Sequence, residues 1–177
     1  MNTLAIIQAR MGSSRLPGKV LRQLEDKTII EQIYYRTSQA KHVSKVIVAT
    51  PFTAEDRILV NFLSSKGISV FVGSEENVLE RFLQASKFYG ADNVVRVTGD
   101  NPLTCPRCID IMVESHIEGK ADYTYMNGLP LGTASEVISY QTLAEVSKKA
   151  FEGYQKEHVT IYIRENCDRQ VGMYKFY

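Results

Sequence analysis

Leu4-Ala5-Ile6-Ile7-Gln8-Ala9-Arg10-Met11-Gly12-Ser13-Ser14-Arg15-Leu16-Pro17-Gly18-Lys19 joins an apolar run to a cationic loop. Leu4 to Ile7 reads as a buried strand. The ten residues from Arg10 to Lys19 hold two glycines, two serines, one proline, two arginines and one lysine. No acidic residue precedes Glu25, so Arg10, Arg15, Lys19 and Arg22 have no local counter-charge. Free backbone N–H groups, hydroxyls and cations at the end of a strand are the parts that hold phosphates.

Moving outward, the same strand-then-loop pattern recurs. Thr28-Ile29-Ile30-Glu31 has the capping-box spacing and predicts a helix to about Lys41. Lys45 to Thr50 is a second strand, ended by Pro51. Thr53-Ala54-Glu55-Asp56 opens a helix with Ile58, Leu59, Phe62 and Leu63 inward, stopped at Lys66-Gly67. Ser69 to Val72, a helix from Asn77 to Tyr89, and a strand from Asn93 to Thr98 follow. Between the first strand and the first helix, Lys19 to Leu24 is expected to be extended, with a turn at Glu25-Asp26-Lys27. β-branched runs alternating with helices mean an α/β, three-layer sandwich around a mainly parallel, Rossmann-like sheet. Ligands in such sheets sit at the C-terminal ends of the strands. That places the Arg10–Lys19 loop, Thr50-Pro51, Gly73-Ser74 and Gly99-Asp100 together.

The second half is less regular. Pro106 to Glu118, Thr142 to Ala150 and Lys156 to Asn166 read as helices, and Asp122 to Met126, Val137 to Tyr140 and Gln170 to Phe176 as strands. The stretch from Tyr123 to Tyr140 is expected to form an arm that leaves the main sheet.

Composition narrows the class. A chain of 177 residues, 44% hydrophobic and 23% charged, fits one soluble globular domain spanning 1–177. A net charge of +1 gives no overall pull toward nucleic acid or a membrane surface, so the basic loop is local. No apolar run has the length of a membrane span, and no signal peptide is read at the start. Three cysteines fit a reducing cytoplasm. Cys105-Pro106-Arg107-Cys108 has redox spacing, but it stands in a loop better explained otherwise, and no second pair exists for zinc.

Two common phosphate loops are excluded by spacing. Five residues separate Gly12 from Gly18 and Val20 follows Lys19, whereas a Walker A loop has four residues between its glycines and a Ser or Thr after the lysine. The G-x-G-x-x-G dinucleotide fingerprint is absent. Ile6 to Lys19 instead resembles the opening motif of the sugar cytidylyltransferases. That family includes the CMP-3-deoxy-manno-octulosonate synthetases, the acylneuraminate cytidylyltransferases and the spore-coat polysaccharide (SpsF-type) branch. Val48-Ala49-Thr50, Gly73 to Arg81, Val95 to Leu103, Leu129-Pro130-Leu131-Gly132 with Glu136-Val137, and Glu157-His158-Val159-Thr160 are similar to that branch in the same order.

The resemblance implies a nucleotide-diphosphosugar-transferase fold. It also implies the reaction of CTP with a sugar to give a CMP-sugar and pyrophosphate, for surface or spore-coat polysaccharide. On the same basis Arg10, Arg15 and Lys19 are the catalytic cations. Ala9, Gly12, Ser13, Ser14, Gly73, Ser74 and Asn77 would bind the nucleotide, and Asp100 would bind magnesium (Mg2+). Arg96 points opposite to Val95 and Val97, toward phosphate or sugar or toward a helix carboxylate. Glu136 and His158 are further candidates for the substrate side. A turn role for Asp100 is the competing reading. Dimers are common in the resembled family, so a homodimer is expected. Family members also continue to a Val-Asp-Thr-Pro-Glu-Asp type segment carrying a second metal aspartate, and the domain is expected to lack it. A glycosyltransferase using a nucleotide-sugar is disfavoured by the absence of Asp-x-Asp. A non-catalytic nucleotide-binding subunit is the remaining alternative.

Overall fold

The protein is described by a computed structural model covering residues 1–13, 16–166 and 170–174. The strands are β1 (Thr3–Gln8), β2 (Gln23–Leu24), β3 (Lys27–Thr28), β4 (Lys45–Pro51), β5 (Val70–Gly73), β6 (Asn93–Thr98), β7 (Tyr123–Asn127), β8 (Glu136–Ser139) and β9 (Gln170–Tyr174). The helices are α1 (Ile29–Thr37), α2 (Asp56–Ser65), α3 (Val78–Phe88), α4 (Pro106–Glu118), α5 (Tyr140–Lys149), α6 (Gly153–Glu157) and α7 (Ile161–Asn166). Among the described residues seven strands form one sheet in the order β5-β4-β1-β6-β8-β7-β9. β5, β4, β1 and β6 are parallel, β8 runs against both of its neighbours, and β7 and β9 are parallel to each other.

The period of two along β1 divides the core. Ala5 and Ile7 face a cluster with Ile30 and Ile33 of α1, Leu59 and Leu63 of α2, and Ile109, Met112 and Val113 of α4. Leu4 and Ile6 face the opposite cluster with Leu79, Phe82 and Ala85 of α3, Leu143 and Val146 of α5, and Ile163 of α7. The sheet is therefore covered on both faces, as the alternation of strands and helices requires. No helix is long and apolar enough to cross a membrane among the described residues.

The chain moves outward from β1 to β4 to β5 and then returns to place β6 on the other side of β1. This reversal opens a crevice between the ends of β1 and β6, the place where open α/β sheets bind ligands.

Several expectations change. Tyr123 to Tyr140 is not an arm: β7 and β8 join the main sheet, with Val95 opposite Val137 and Thr124 opposite Val137. Lys19–Leu21 is a 3-10 turn that buries Val20, and extended backbone starts at Arg22, with Gln23–Leu24 paired in a hairpin whose turn holds Glu25 at φ 57°. α1 ends at Thr37, where the Thr37 hydroxyl donates to the Ile33 carbonyl at 2.7 Å and the chain tightens to bury Ala40. α2 starts only at Asp56, and its inward stripe is Leu59 and Leu63, leaving Ile58 exposed. The single helix expected over 156–166 is two short ones, broken where Val159 takes a left-handed φ of 48°.

Candidate active site

The site begins where β1 and β6 end. Gly99 donates its N–H to the Gln8 carbonyl at 2.8 Å. A Cβ on Gly99 would lie 2.9 Å from that carbonyl oxygen, so a side chain there would force the strand ends apart. The loop after β1 is folded on Met11, whose carbonyl accepts N–H bonds from Ser13 (2.9 Å) and Gly18 (3.0 Å). The Met11 N–H donates to Oδ1 of Asp56 at 2.7 Å, and the Thr53 hydroxyl donates to Oδ2 at 2.5 Å. Asp56 is buried and ties the loop to the start of α2. Gly18, at φ +66°, turns the chain into the 3-10 segment that carries Lys19. Lys19 Nζ then forms an ion pair with Oδ1 of Asp100, joining the loop after β1 to the loop after β6.

These loops wall a cavity of about 270 Å³. Gln8, Arg96 and Thr98 are on its floor, on one face of adjacent strands, with Ile6 beside Arg96 and Gln8 beside Thr98 in register. Arg10, Ser13 and Lys19 line one side, Glu75 comes from the loop before α3, Val78 and Arg81 from the first turn of α3, and Glu157 and His158 from the end of α6. Arg10 reaches across to Glu157, 3.7 Å away.

Of the residues picked out in the sequence, Ala9, Arg10, Ser13, Lys19, Arg96, Asp100 and His158 come together at this cavity. Gly12, Gly73, Ser74 and Asn77 are outside its lining. Asn77 caps α3, accepting the Glu80 N–H at 2.9 Å, and the Ser74 hydroxyl accepts the Asn77 N–H at 3.1 Å. Ser14 and Arg15 lie outside the described residues.

Glu136 is set behind the floor. As the first residue of the reversed strand β8, it stands opposite Arg96 in register. Its carboxylate receives Arg96 at 2.6 Å, Arg164 at 2.7 Å, the Thr160 hydroxyl at 3.3 Å and the Tyr123 hydroxyl. Burial opposes its ionisation, but the Arg96 charge and the Tyr123 hydroxyl hold its carboxyl below the usual carboxylate range. Burial, and then the Glu136 charge, pushes the Tyr123 phenol up. Arg96 thus pairs with a strand carboxylate, not a helix one, and Gln8 Oε1 accepts a long bond from it at 3.4 Å.

Sequence reasoning missed Gln8, Glu75, Arg81, Thr98 and Glu157. The strand parity shared by Gln8, Arg96 and Thr98 was an available signal. Arg81 is 2% exposed on the apolar stripe of α3, and burial lowers its pKa to about 10, with Asp56 opposing and Arg10 adding to the effect. Among the described residues no cluster of three or more His, Cys, Asp or Glu is arranged to hold a metal. Asp100 offers one half-exposed carboxylate, a hard oxygen donor that suits a cation completed by phosphate oxygens. Cys105 and Cys108 are free, and burial, with Cys105 adding, raises the Cys108 thiol to about 11, the opposite of an activated thiolate.

Residues 4–176 match the cytidylyltransferase family. An uncharacterized protein of Methanocaldococcus jannaschii is 46% identical over 94% of this chain and 68% of its own length. The spore coat polysaccharide biosynthesis protein SpsF of Bacillus subtilis is 40% identical over 92% of this chain and 70% of its own. Among solved structures, a cytidylyltransferase from Leptospira borgpetersenii superimposes with a TM-score of 0.91 at 30% identity, covering 99% of this chain and 76% of that one.

Proposed function

The chain belongs to the cytidylyltransferase family, and on that premise we propose that it transfers the cytidylyl group of CTP to a hydroxyl of a sugar destined for surface polysaccharide. Pyrophosphate is the second product. The observation that carries this reading is the Lys19–Asp100 pair, which sets a cation and a carboxylate face to face across the β1/β6 crevice.

The chemistry asks mainly for position and charge. The sugar hydroxyl oxygen forms a bond to the α-phosphorus and releases its proton to solvent, while the bond to the bridging oxygen of the leaving pyrophosphate breaks. Arg10 and Lys19 hold the anionic chain that becomes the leaving group, in a crevice where charge interactions are stronger than in water. Lys19, a point charge on a flexible stem, exchanges the Asp100 carboxylate for phosphate oxygens as charge develops on pyrophosphate. A divalent cation, magnesium on our reading, would be held by Asp100 and phosphate oxygens and would supply charge neutralisation at the triphosphate. Arg96, fixed by Glu136, presents donors from the floor to the sugar side, and His158 stands at the rim. The uses of Ala9, Gly12, Ser13, Ser14 and Arg15 at the nucleotide belong to the same proposal. The name of the SpsF relative supports a polysaccharide destination, and a cytoplasmic reaction is part of the same proposal. A homodimer is proposed with it; sedimentation as monomer alone at micromolar concentration would remove that part.

The test is pyrophosphate release by the purified chain with CTP, magnesium and a panel of sugar acids and amino sugars. Release that requires both CTP and one of the sugars is expected. Tight binding of a nucleotide-sugar without any binding of CTP would overturn the proposal.

A further inference from the structure

We propose that Arg81 is a third cation for the phosphates of the nucleotide, beside Arg10 and Lys19, an inference that rests on the cytidylyltransferase reading of the cavity. Arg81 lies on α3 among Val78, Phe82 and Ala85, all buried, and is itself 2% exposed. An arginine on an apolar stripe costs desolvation energy that an apolar side chain would avoid. What it receives in return within the protein is small. Nη1 donates to the Ser74 carbonyl, Nε is buried without a partner, and Arg81 is in no ion pair among the described residues. Asp56 acts on it through its field, and Arg10 adds a like charge nearby.

The surroundings are shaped to hold this side chain. A Cβ on Gly73 would fall 2.9 Å from Cγ of Arg81 and 3.3 Å from its Cβ and Cδ. Gly73 therefore leaves room for the stem, and the Ser74 carbonyl aims the head. That gives Gly73 and Ser74 a purpose although neither lines the cavity. Arg81 does line it, together with Arg10 and Lys19. A desolvated guanidinium with spare donors, next to a second cation, is completed by an anion that accepts two parallel bonds, as a phosphate does.

The test uses the full chain and calorimetry with cytidine, CMP and CTP, accompanied by thermal melting. The variants are Arg81→Gln, Arg81→Lys and Gly73→Ala. Arg81→Gln is expected to weaken CTP by about tenfold to a hundredfold, the worth of a charge-assisted hydrogen bond, and to leave cytidine unchanged. Arg81→Lys keeps the charge without the fork and should lose less. Gly73→Ala alters no charge but displaces the stem, and should follow Arg81→Gln. If Arg81→Gln melts too low to be measured, the other two variants decide. Equal losses for cytidine and CTP would make Arg81 a scaffold, and unchanged CTP affinity would overturn the inference while leaving the proposed function intact. Failure of the unaltered chain to bind CTP would instead remove the proposed function and this inference together.

Discussion

Two kinds of ion pair stand along one edge of the sheet. Lys19–Asp100 and Arg10–Glu157 join loops across the mouth of the cavity; Arg10 and Glu157 are 54% and 52% exposed, and Asp100 is 54% exposed with Lys19 at 24%. Arg96–Glu136 joins the floor to the residue behind it, with side chains only 13% and 10% exposed, and Tyr123, Thr160 and Arg164 share the same carboxylate. Exposed pairs contribute little to stability, so their members are free to change partners. A buried pair that loses one member leaves an uncompensated charge, so its members stay fixed. The first kind suits groups that must release one anion and take another, and the second suits groups that hold a floor still.

Lys19→Ala separates the two most sharply. It is expected to reduce the kcat/KM for pyrophosphate release by about a hundredfold to a thousandfold, the usual effect of removing one transition-state charge contact. The unfolding free energy measured in urea should stay within about 1 kcal/mol of the parent, because the Asp100 partner is 54% exposed and keeps its water when Lys19 is removed. A stability loss matching that of a buried pair would break the comparison. Glu136→Ala should do the reverse, costing about 3 kcal/mol of unfolding free energy, the low end for a buried pair because Arg164 is partly solvated. Equilibrium unfolding in urea measures it, and an unchanged midpoint would place Glu136 with the exposed pairs.

His116 extends the contrast to a buried group without charge. Burial, opposed by Asp122, lowers its pKa from 6.5 to about 4, and Nδ1 lies 2.9 Å from the Thr124 hydroxyl. The unfolded chain takes up the proton first as pH falls below about 6.5, so stability is full above that value and is lost down to about 4. Between pH 7 and pH 5 the loss from this residue is about 2 kcal/mol. Urea midpoints at the two pH values should converge in His116→Gln; a variant as acid-sensitive as the parent would show the effect comes from elsewhere. The smallest change is expected for Glu157→Gln, less than about 1 kcal/mol in stability, read as a melting temperature close to that of the parent.

How far the sequence announced this arrangement depended on distance along the chain. Asn93–Thr98 and Pro106–Glu118 were legible to the residue, because β-branched alternation and a proline in the first helical turn are local signals. The family and the parallel sheet followed from such signals and from the opening loop. The joining of β7 and β8 to the sheet was not legible, since it depends on pairing Tyr123 to Asn127 with a strand that begins at Glu136. The break at Val159 was hidden because a β-branched residue rarely adopts a left-handed φ. The set around Glu136 draws on residues 96, 123, 160 and 164, and no spacing rule links them. Arg81 ends one of the family-like stretches, but only its burial reveals that it is more than a solvated helix residue.

The reversed strand β8 bears on how such a protein diversifies. A strand of the common direction would deliver its last residue to this edge and begin its next helix there. β8 delivers its first residue, so the segment leading into it, 128–135, lies at the working edge. That segment is fastened beside Asp100 through Asn101 Nδ2 to the Ala134 carbonyl (2.7 Å) and the Leu103 N–H to the Gly132 carbonyl (3.1 Å). Insertions between those fastenings and the strand before them change the rim without altering the register of any pair in the sheet. On the proposed function, a change of sugar then calls for edits to this one surface segment, with Arg10, Lys19 and Asp100 left as they stand.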